Sequence, residues 1–230
     1  MKKSISLLIL GIVVFTSNAQ SYNTSKDWGN FDILQKVKKN IGDDISPDVK
    51  GSLYYTDIYT SGKLLFEGNE LERDMLYRYE AYSDIIEVKL STGEEDYLAQ
   101  SPKLDVLIGS DRYSYIQFYD ENAKEMTFGY MIVLDHNEKY DLYDRKIKKL
   151  RPGKKAQTSM SADVEAKLLD IETIYIRLSG EKFAKSFPES KSGLYKMFPN
   201  QKSELKKFLK SKKIDLENPK DVAMVLDFCL

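Results

Sequence analysis

The chain has 230 residues, with 35 Lys and Arg, 36 Asp and Glu, one His, one Cys and 42% hydrophobic side chains. This composition excludes disordered, collagen-like and polytopic membrane classes, and the near-neutral charge indicates no whole-protein attraction to nucleic acid. His136 and Cys229 cannot fill a structural zinc tetrahedron, and a single Cys excludes a CxxC redox pair, c-type haem or a four-cysteine iron–sulfur cluster within one chain. We therefore expect neither a metal nor a cofactor.

The N-terminus has the pattern of a cleaved secretory signal peptide. Lys2 and Lys3 precede an apolar stretch over residues 5–15, and small residues follow at 17–19. The apolar stretch is shorter than the roughly 20 residues that a bilayer requires. We predict a signal peptide over residues 1–19 and no stable transmembrane span after cleavage. The mature protein, with 33 basic and 36 acidic side chains, is then periplasmic, outer-membrane associated or secreted.

Residues 20–50 are predicted to form a flexible tail and a short helix. The tail is small and polar, whereas apolar residues then recur with helical spacing between Asn30, a candidate cap, and Gly42, a candidate stop. The apolar positions of this helix are Phe31, Ile33, Leu34 and Val37.

Residues 51–190 are predicted to form an antiparallel sheet. The apolar period changes to two, and residues 75–82 and 85–90 alternate on either side of a polar turn, which is typical of a hairpin. A polar loop begins at Pro152, a short helix is expected over residues 161–169, and one more hairpin completes the sheet. Further alternating segments cover residues 104–108, 113–119, 126–134, 139–144 and 171–178.

The last forty residues, 191–230, are predicted to be helical and to belong to the same domain. Asn200 is a candidate cap for one helix, and Asn218 followed by Pro219 is a candidate start for the next. Their apolar faces need a sheet to cover them. The predicted fold is therefore α+β: a curled antiparallel β-meander or partial barrel, a short N-terminal helix, and C-terminal helices packed on the sheet.

A basic run over residues 145–155 contains seven cations in eleven residues, within a chain whose mature form is slightly acidic. Such a run can grip phosphate, an anionic glycan or a lipid surface. A solvated basic edge strand that discourages aggregation is the structural alternative. The candidate binding residues in this run are Arg145, Lys146, Lys148, Lys149 and Arg151.

The chain contains 16 tyrosines, several of which alternate along predicted strands. Tyr113, Tyr115 and Tyr119 share one face, and neighbouring aromatic faces can stack on sugar rings. Cross-strand tyrosine pairs that stabilise the sheet are the alternative. Carbohydrate or peptide binding through this face is a hypothesis, whereas nucleic-acid binding is not expected of an exported acidic chain.

Carboxylates cluster in several predicted loops, including Asp135, Asp141 and Asp144 around the turn that holds His136. Hydrolysis of a glycoside needs two carboxylates held about 5 to 10 Å apart with separated pKa values. Solvated turns are the alternative, and a solvated turn is a poor place to orient His136 as a general base. The sequence has no GxxxxGK[ST], GxGxxG, HExxH or GxSxG motif.

Two parts of the chain contain short motifs that look familiar together: KGSLY at residues 50–54, YRYEAY at 77–82 and IEVK at 86–89, and then FPNQK at 198–202 and FLKSKK at 208–213. The first group resembles the opening, and the second the closing segment, of uncharacterised exported proteins common in Bacteroidetes. The resemblance implies an envelope or secreted location and brings no catalytic residue.

The leading functional hypothesis is an exported, non-catalytic envelope protein that binds a partner protein or a glycan through the tyrosine face or the basic run. One alternative is a carboxylate-dependent hydrolase of an envelope polymer, which predicts a cleft holding two acids, one with a raised pKa. Another is a small-ligand carrier, which requires a barrel with an apolar cavity.

Overall fold

The alternating apolar segments of the chain form the strands of one antiparallel sheet. The structure, a computed structural model, describes residues 34–35, 45, 48–71, 74–156 and 162–230, all within a single compact unit. The strands in this part of the chain are β1 (Leu34–Gln35), β2 (Thr60–Phe66), β3 (Asn69–Leu71), β4 (Met75–Glu80), β5 (Ile85–Leu90), β6 (Glu95–Leu98), β7 (Leu104–Ile108), β8 (Asp111–Asp120), β9 (Glu125–His136), β10 (Tyr140–Arg151), β11 (Lys167–Leu178) and β12 (Lys185–Ser186). The helices are α1 (Lys191–Met197), α2 (Lys202–Lys212) and α3 (Pro219–Cys229), with a 3-10 turn at Pro199–Gln201. The mixed α+β class predicted from the sequence is confirmed.

The strands follow the order β1-β6-β5-β4-β2-β7-β8-β9-β10-β11-β12, with β3 beside β2. Neighbouring strands in this order pair antiparallel. The sheet curls into a half-barrel, and just before β12 the chain returns to β8. There the Ala184 amide donates to the Gln117 carbonyl (2.9 Å), and the Tyr119 amide donates to the Ala184 carbonyl (3.0 Å). The predicted curled antiparallel sheet is thus confirmed.

The predicted hairpin is formed by β4 and β5, in which Tyr79 lies opposite Ile86. Both side chains are buried, as the alternating pattern predicts. The turn passes through Asp84 with a φ of 58°, a left-handed conformation that Asp tolerates better than bulky residues do. This turn places the Asp84 carboxylate against strands that are distant in sequence.

Buried apolar side chains of the described residues form separate clusters on the two faces of the curled sheet. Each fully buried large side chain contributes about 1.5–3 kcal/mol to stability. One cluster, around β2 and β4–β9, includes Leu64, Tyr77, Tyr79, Ile86, Leu104, Val106, Tyr113 and Tyr130. The second, on the face of β8–β11 opposite to the other two clusters, consists of Phe118, Met131, Tyr143, Tyr175 and Ala184. The third lies between β10–β11 and the helices and includes Leu142, Ile176, Leu194, Leu205, Leu209, Val222, Val225 and Leu226.

The C-terminal helices pack on the sheet as predicted, and local capping explains where two of them begin. The Ser190 hydroxyl accepts a hydrogen bond from the Gly193 amide (3.1 Å) at α1, and Asn218 caps α3 through the Lys220 amide (2.9 Å). Cys229 is buried at the end of α3, where burial raises the pKa of its thiol to about 11. Its role is therefore packing rather than reactivity.

Several local predictions differ from the structure. The helix expected over residues 161–169 is wrong: Val164 forms a bridge with Lys154, and β11 already begins at Lys167. Val164, Ala166 and Leu168 have the period of a strand, which overrode helical propensity.

Asn200 does not cap α2 with its side chain, because it lies inside the 3-10 turn and α2 begins without a side-chain cap. Of the predicted N-terminal helix, the structure describes Leu34 and Gln35, which pair with β6 as a strand. The remainder of that helix, the signal peptide over residues 1–19 and the flexible tail lie outside the described residues.

Candidate functional site

The predicted basic run lies on the second half of β10 and the loop that follows. β10 pairs with β11 along its whole length, but it pairs with β9 only from Asp141 to Asp144, with a register shift between Leu142 and Tyr143. Beyond Asp144 the strand leaves β9. The run therefore lies where β10 and β11 extend beyond β9, and there the Lys148 amide donates to the Ala81 carbonyl (2.9 Å).

Arg145, the first cation of the run, is inside the protein, with 13% of its side chain exposed. Its Nη1 donates to Asp84 Oδ2 (3.0 Å) and to the Tyr130 carbonyl (3.2 Å), and its guanidinium lies 4.6 Å from the Phe118 ring. Burial lowers the pKa of Arg145, but Asp84, Tyr79 and Tyr175 together outweigh burial and raise it. Arg145 is thus a structural cation.

Gly129 makes room for this ion pair. A Cβ at this position would lie 2.2 Å from Arg145 Nη1 and 2.5 Å from Asp84 Oδ2. The other Asp84 oxygen accepts from the Tyr79 hydroxyl (2.8 Å) and the Tyr130 amide (3.1 Å). Asp84 therefore joins the β4–β5 turn to β9 and β10.

Lys146 and Lys148 are also neutralised by acids. Lys146 Nζ lies 3.3 Å from Asp144 Oδ2, and Lys148 is ion-paired with Asp170. The Tyr55 ring lies 4.7 Å from Lys146 Nζ and 5.6 Å from Lys148 Nζ. These two lysines, together with Arg145, make residues 145–148 a neutralised segment.

The cations at the end of β10 have different surroundings. Lys149 and Arg151 are exposed and point to the same face as Lys167 of β11, because Arg151 lies directly opposite Lys167 and Lys149 opposite Leu169. Among the described residues, none of these three cations has an ion-pair partner. We call residues 149–151 and 167–169 the cationic ribbon; Lys154 and Lys155 extend its charge into the exposed loop that follows.

The three predicted tyrosines share one face of β8, as their alternation predicts, but they differ in exposure. Tyr113 is only 7% exposed and packs in the core against Tyr79, with ring centroids 5.1 Å apart. Tyr115 is partly buried and stacks on Phe128 of β9 at 5.6 Å and 15°. Tyr119 is partly buried farther along β8. Only the outer part of this tyrosine face can meet a ligand.

That outer part continues into an exposed apolar patch on β9. Phe128 is 40% exposed and Met126 is 39% exposed, and Met126 lies opposite Tyr119. The sequence analysis did not single out Phe128 or Met126, although both alternate with inward-facing residues of β9. The patch offers a flat aromatic surface of the kind that sugar rings stack on.

An acidic cavity of about 330 Å³ lies between β10–β11 and the start of α3. Asp144, buried to 8% exposure, lines it, and burial raises the pKa of this carboxyl despite the nearby Lys146. Glu172 lies diagonally across the strands from Asp144, a separation of about 7–8 Å between their Cβ atoms. Glu189 and Glu217 complete the carboxylate lining.

His136, described from sequence as a surface turn residue, is exposed but not free. Its Nδ1 bonds to Asp141, whose Oδ2 accepts from Arg177 Nε (2.7 Å) and the Tyr143 hydroxyl (3.2 Å). Burial raises the pKa of Asp141, but the hydrogen bonds from His136 and Arg177 outweigh burial and lower it. The signal in the sequence was the four-residue spacer between His136 and Asp141, which places the two opposite each other in a hairpin.

This cluster borders an open cavity of about 270 Å³ with its imidazole at the surface. Because Asp141 bonds residues from β9 and β11, it fastens three neighbouring strands together at one end of the half-barrel. The arrangement is that of a structural hub.

Within the described residues, no three His, Cys, Asp or Glu side chains are grouped closely enough to hold a metal ion. Phe118, Tyr143 and Tyr175 pack together on one face of β8–β11. None of the helices in this part of the chain has the length and apolar character that crossing a membrane requires. No family model, curated protein or solved structure matches the chain.

Proposed function

We propose that this is an exported, non-catalytic envelope protein that binds an anionic glycan or an acidic partner protein through the cationic ribbon. The N-terminal pattern of residues 1–19 supports export. The observation that carries the binding proposal is the arrangement of Lys149, Arg151 and Lys167 on one exposed face, where none of the three forms an ion pair with a described residue.

Like charges directly opposite each other on neighbouring strands destabilise a sheet. Arg151 faces Lys167 in this way, and Lys149 adds a third positive charge on the same face. The neutralised segment shows that β10 cations elsewhere are matched with acids. Binding of an anionic partner would relieve this repulsion, so the arrangement is suited to a binding surface.

The cationic ribbon is also held in a defined position. The Lys50 amide donates to the Ala166 carbonyl (3.0 Å), and the Leu168 amide donates to the Lys50 carbonyl (2.9 Å). Leu168 is buried on the opposite face, with its Cβ against Gly51. The three cations therefore project from a backbone that is anchored on both sides, which lowers the entropic cost of binding.

The aromatic patch supports a glycan as one of the two partner classes. Tyr115 and Phe128 present nearly parallel rings, and Tyr119 lies on the same face. Stacking on such rings recognises the apolar face of a sugar. The register places this patch on the face of the sheet opposite to the cationic ribbon, so the two are separate surfaces. Replacing Phe128 with Ser should weaken glycan binding and leave capture of a protein partner unchanged.

The test replaces the three cations together. The Lys149→Ser/Arg151→Ser/Lys167→Ser variant should lose about tenfold or more in retention on anionic envelope polysaccharides and in pull-down of envelope proteins, since three charge-assisted contacts are removed. Raising the salt concentration should weaken the wild-type interaction.

The matched control removes three exposed lysines from α2: Lys206→Ser/Lys207→Ser/Lys210→Ser has the same net charge as the first variant. It should bind like the wild type. Equal binding by both triple variants and the wild type would remove the cationic ribbon from the proposal.

The acidic cavity favours a second candidate, a carboxylate-dependent hydrolase of an envelope polymer. A buried acid with a raised pKa beside a second acid in a cleft is the arrangement that a general acid and its partner require. Asp144→Asn and Glu172→Gln should each abolish release of reducing ends from envelope polysaccharides. Wild-type protein that releases none would eliminate this candidate.

A further inference from the structure

We infer that the cationic ribbon selects a phosphomonoester group, carried by a sugar or by a lipid headgroup, over a carboxylate or a sulfate monoester. This inference rests on the proposed function and specifies the chemistry of the anion. It follows from the spacing, the number and the types of the three cations.

The spacing allows the three cations to meet one group. Arg151 and Lys167 are direct cross-strand neighbours, whose Cβ atoms lie about 5 Å apart. Lys149 precedes Arg151 by two residues on the same face, a step of about 7 Å along the strand. All three side chains are long and exposed, so their charged ends can converge above the cationic ribbon.

The number of charges favours phosphate. A phosphomonoester carries a charge of about −1.5 to −2 at neutral pH and offers three terminal oxygens. A carboxylate or a sulfate monoester carries a single negative charge, so it neutralises less of the cluster. One phosphomonoester can therefore accept charge-assisted hydrogen bonds from all three residues.

The residue types provide the geometry. The planar fork of Arg151 matches two oxygens of a phosphate, whereas Lys149 and Lys167 are point charges that suit the remaining oxygen. The fork also fits a carboxylate or a sulfate, so Arg151 is expected to contribute affinity, whereas the selectivity for phosphate is expected to come from the number of cations.

The acid that interacts with Lys149 already has other hydrogen-bond donors. Asp120 is close enough to Lys149 for the lysine to help lower its pKa, but the largest cause of that lowering is the Ala123 amide. Asp120 Oδ1 accepts from the Asn122 amide (2.8 Å) and the Ala123 amide (3.1 Å) within its own turn. Lys149 is therefore left available for a ligand.

The experiment titrates the mature protein calorimetrically with glucose 6-phosphate, glucose 6-sulfate and glucuronate. We expect the sugar phosphate to bind about tenfold more tightly than the other two, because only it engages all three cations. Arg151→Lys keeps three cations and removes the fork, so it should weaken binding of the sugar phosphate but keep the selectivity, and its retention on an anionic polysaccharide should stay within about twofold of wild type. Arg151→Ser leaves only two of the three cations, so it should lose most of the selectivity. The Lys206→Ser/Lys207→Ser/Lys210→Ser variant should keep both properties.

Vesicles of phosphatidylcholine containing either phosphatidic acid or phosphatidylglycerol distinguish the source of the phosphate. Preference for phosphatidic acid without glucose 6-phosphate binding supports a lipid-borne phosphomonoester, and binding of both supports recognition of the group itself. Equal affinity for the three sugars, with no preference between the vesicles, would overturn the inference and leave the proposed function standing. The proposed function fails instead if the cationic ribbon variant retains wild-type binding to anionic polymers and envelope proteins.

Discussion

The neutralised segment and the cationic ribbon are neighbours on β10 and β11, and each contains three cations, yet they differ in how their charges are balanced. Arg145, Lys146 and Lys148 are each matched by an acid, whereas Lys149 and Arg151 are exposed and form no ion pair within the described part of the chain. This difference shows that the residues of one basic run in a sequence need not form a single binding site. Each cation of the run has a structural or a binding role, depending on whether the fold places an acid beside it.

The acids of the neutralised segment come from different parts of the molecule. Asp84 lies in the β4–β5 turn, Asp144 precedes Lys146 on β10, and Asp170 lies opposite Lys148 on β11. At the cationic ribbon the facing strand supplies Lys167 instead. The comparison predicts that substitutions in the neutralised segment affect stability, whereas substitutions in the cationic ribbon affect binding.

The largest expected effect is on Arg145. Arg145→Met should lower the free energy of unfolding by about 3–5 kcal/mol, because it leaves the Asp84 carboxylate without its buried cation. Urea unfolding followed by circular dichroism measures this loss.

Lys149→Met is the matched control on the same face of the same strand. It should change stability by no more than about 0.5 kcal/mol, since Lys149 is exposed and makes no ion pair among the described residues. Similar losses of stability for the two variants would contradict the distinction between the neutralised segment and the cationic ribbon.

The next effect concerns Asp141 at the start of β10. Asp141→Asn should cost about 1.5–3 kcal/mol at pH 7, because the carboxylate accepts hydrogen bonds from Arg177 and Tyr143. The pKa of Asp141 is below its ordinary value, so its stabilisation is complete above about pH 4 and declines as pH falls through the lowered pKa. Unfolding curves across acid pH should therefore show wild type and variant converging.

Asp144, on the same strand, is expected to have the opposite effect on the pH dependence of stability. Its pKa is raised by burial, so the ionised form is disfavoured by folding at neutral pH, and this penalty disappears as pH falls through the raised pKa toward about pH 4. Asp144→Asn should leave stability unchanged or increased at pH 7. A destabilised Asp144→Asn protein would show that the ion pair with Lys146 outweighs the effect of burial.

A smaller effect is expected for the paired lysines. Lys146→Ser/Lys148→Ser should cost about 1–2 kcal/mol, since it removes two partly buried ion pairs and the contacts of both ammonium groups with Tyr55. Binding to anionic polymers should be unchanged. Thermal unfolding and polysaccharide retention, measured on the same samples, test whether the neutralised segment affects stability without affecting binding.

The smallest effect tests the like-charge contact itself. Arg151→Glu should stabilise the free protein by about 0.5 kcal/mol at low salt, because it places opposite charges across the strand pair with Lys167. The gain should vanish at high salt, where surface charges are screened. No gain at low salt would mean that Arg151 and Lys167 do not repel each other in the wild type.

Much of the fold was accessible from the sequence because local periodicity reports which side chains are buried. The hairpin of β4 and β5, the strands near residues 104–136 and the cap at Asn218 follow from alternation and capping chemistry. The error at residues 161–169 arose where a few apolar residues allowed either period. The extension of β10 to Arg151 was missed because its side chains are charged on both faces.

The candidate site was accessible only in part. The basic run was recognised from its charge, but its division was not, because Arg145 and Asp84 are far apart in the chain. Tyr113 and Tyr119 share a face as predicted, but their different exposure depends on where the sheet is covered.

The sequence by itself determined the α+β class, the antiparallel pairing and the positions of most strands and helices, since these follow from side-chain period and local hydrogen bonding. Tertiary structure alone decided which cations lie in the interior and which face solvent. The physical reason is that the charge environment of a residue depends on partners from other strands. The fold brings Asp84 to Arg145, whereas the residue opposite Arg151 on β11 is another cation, Lys167.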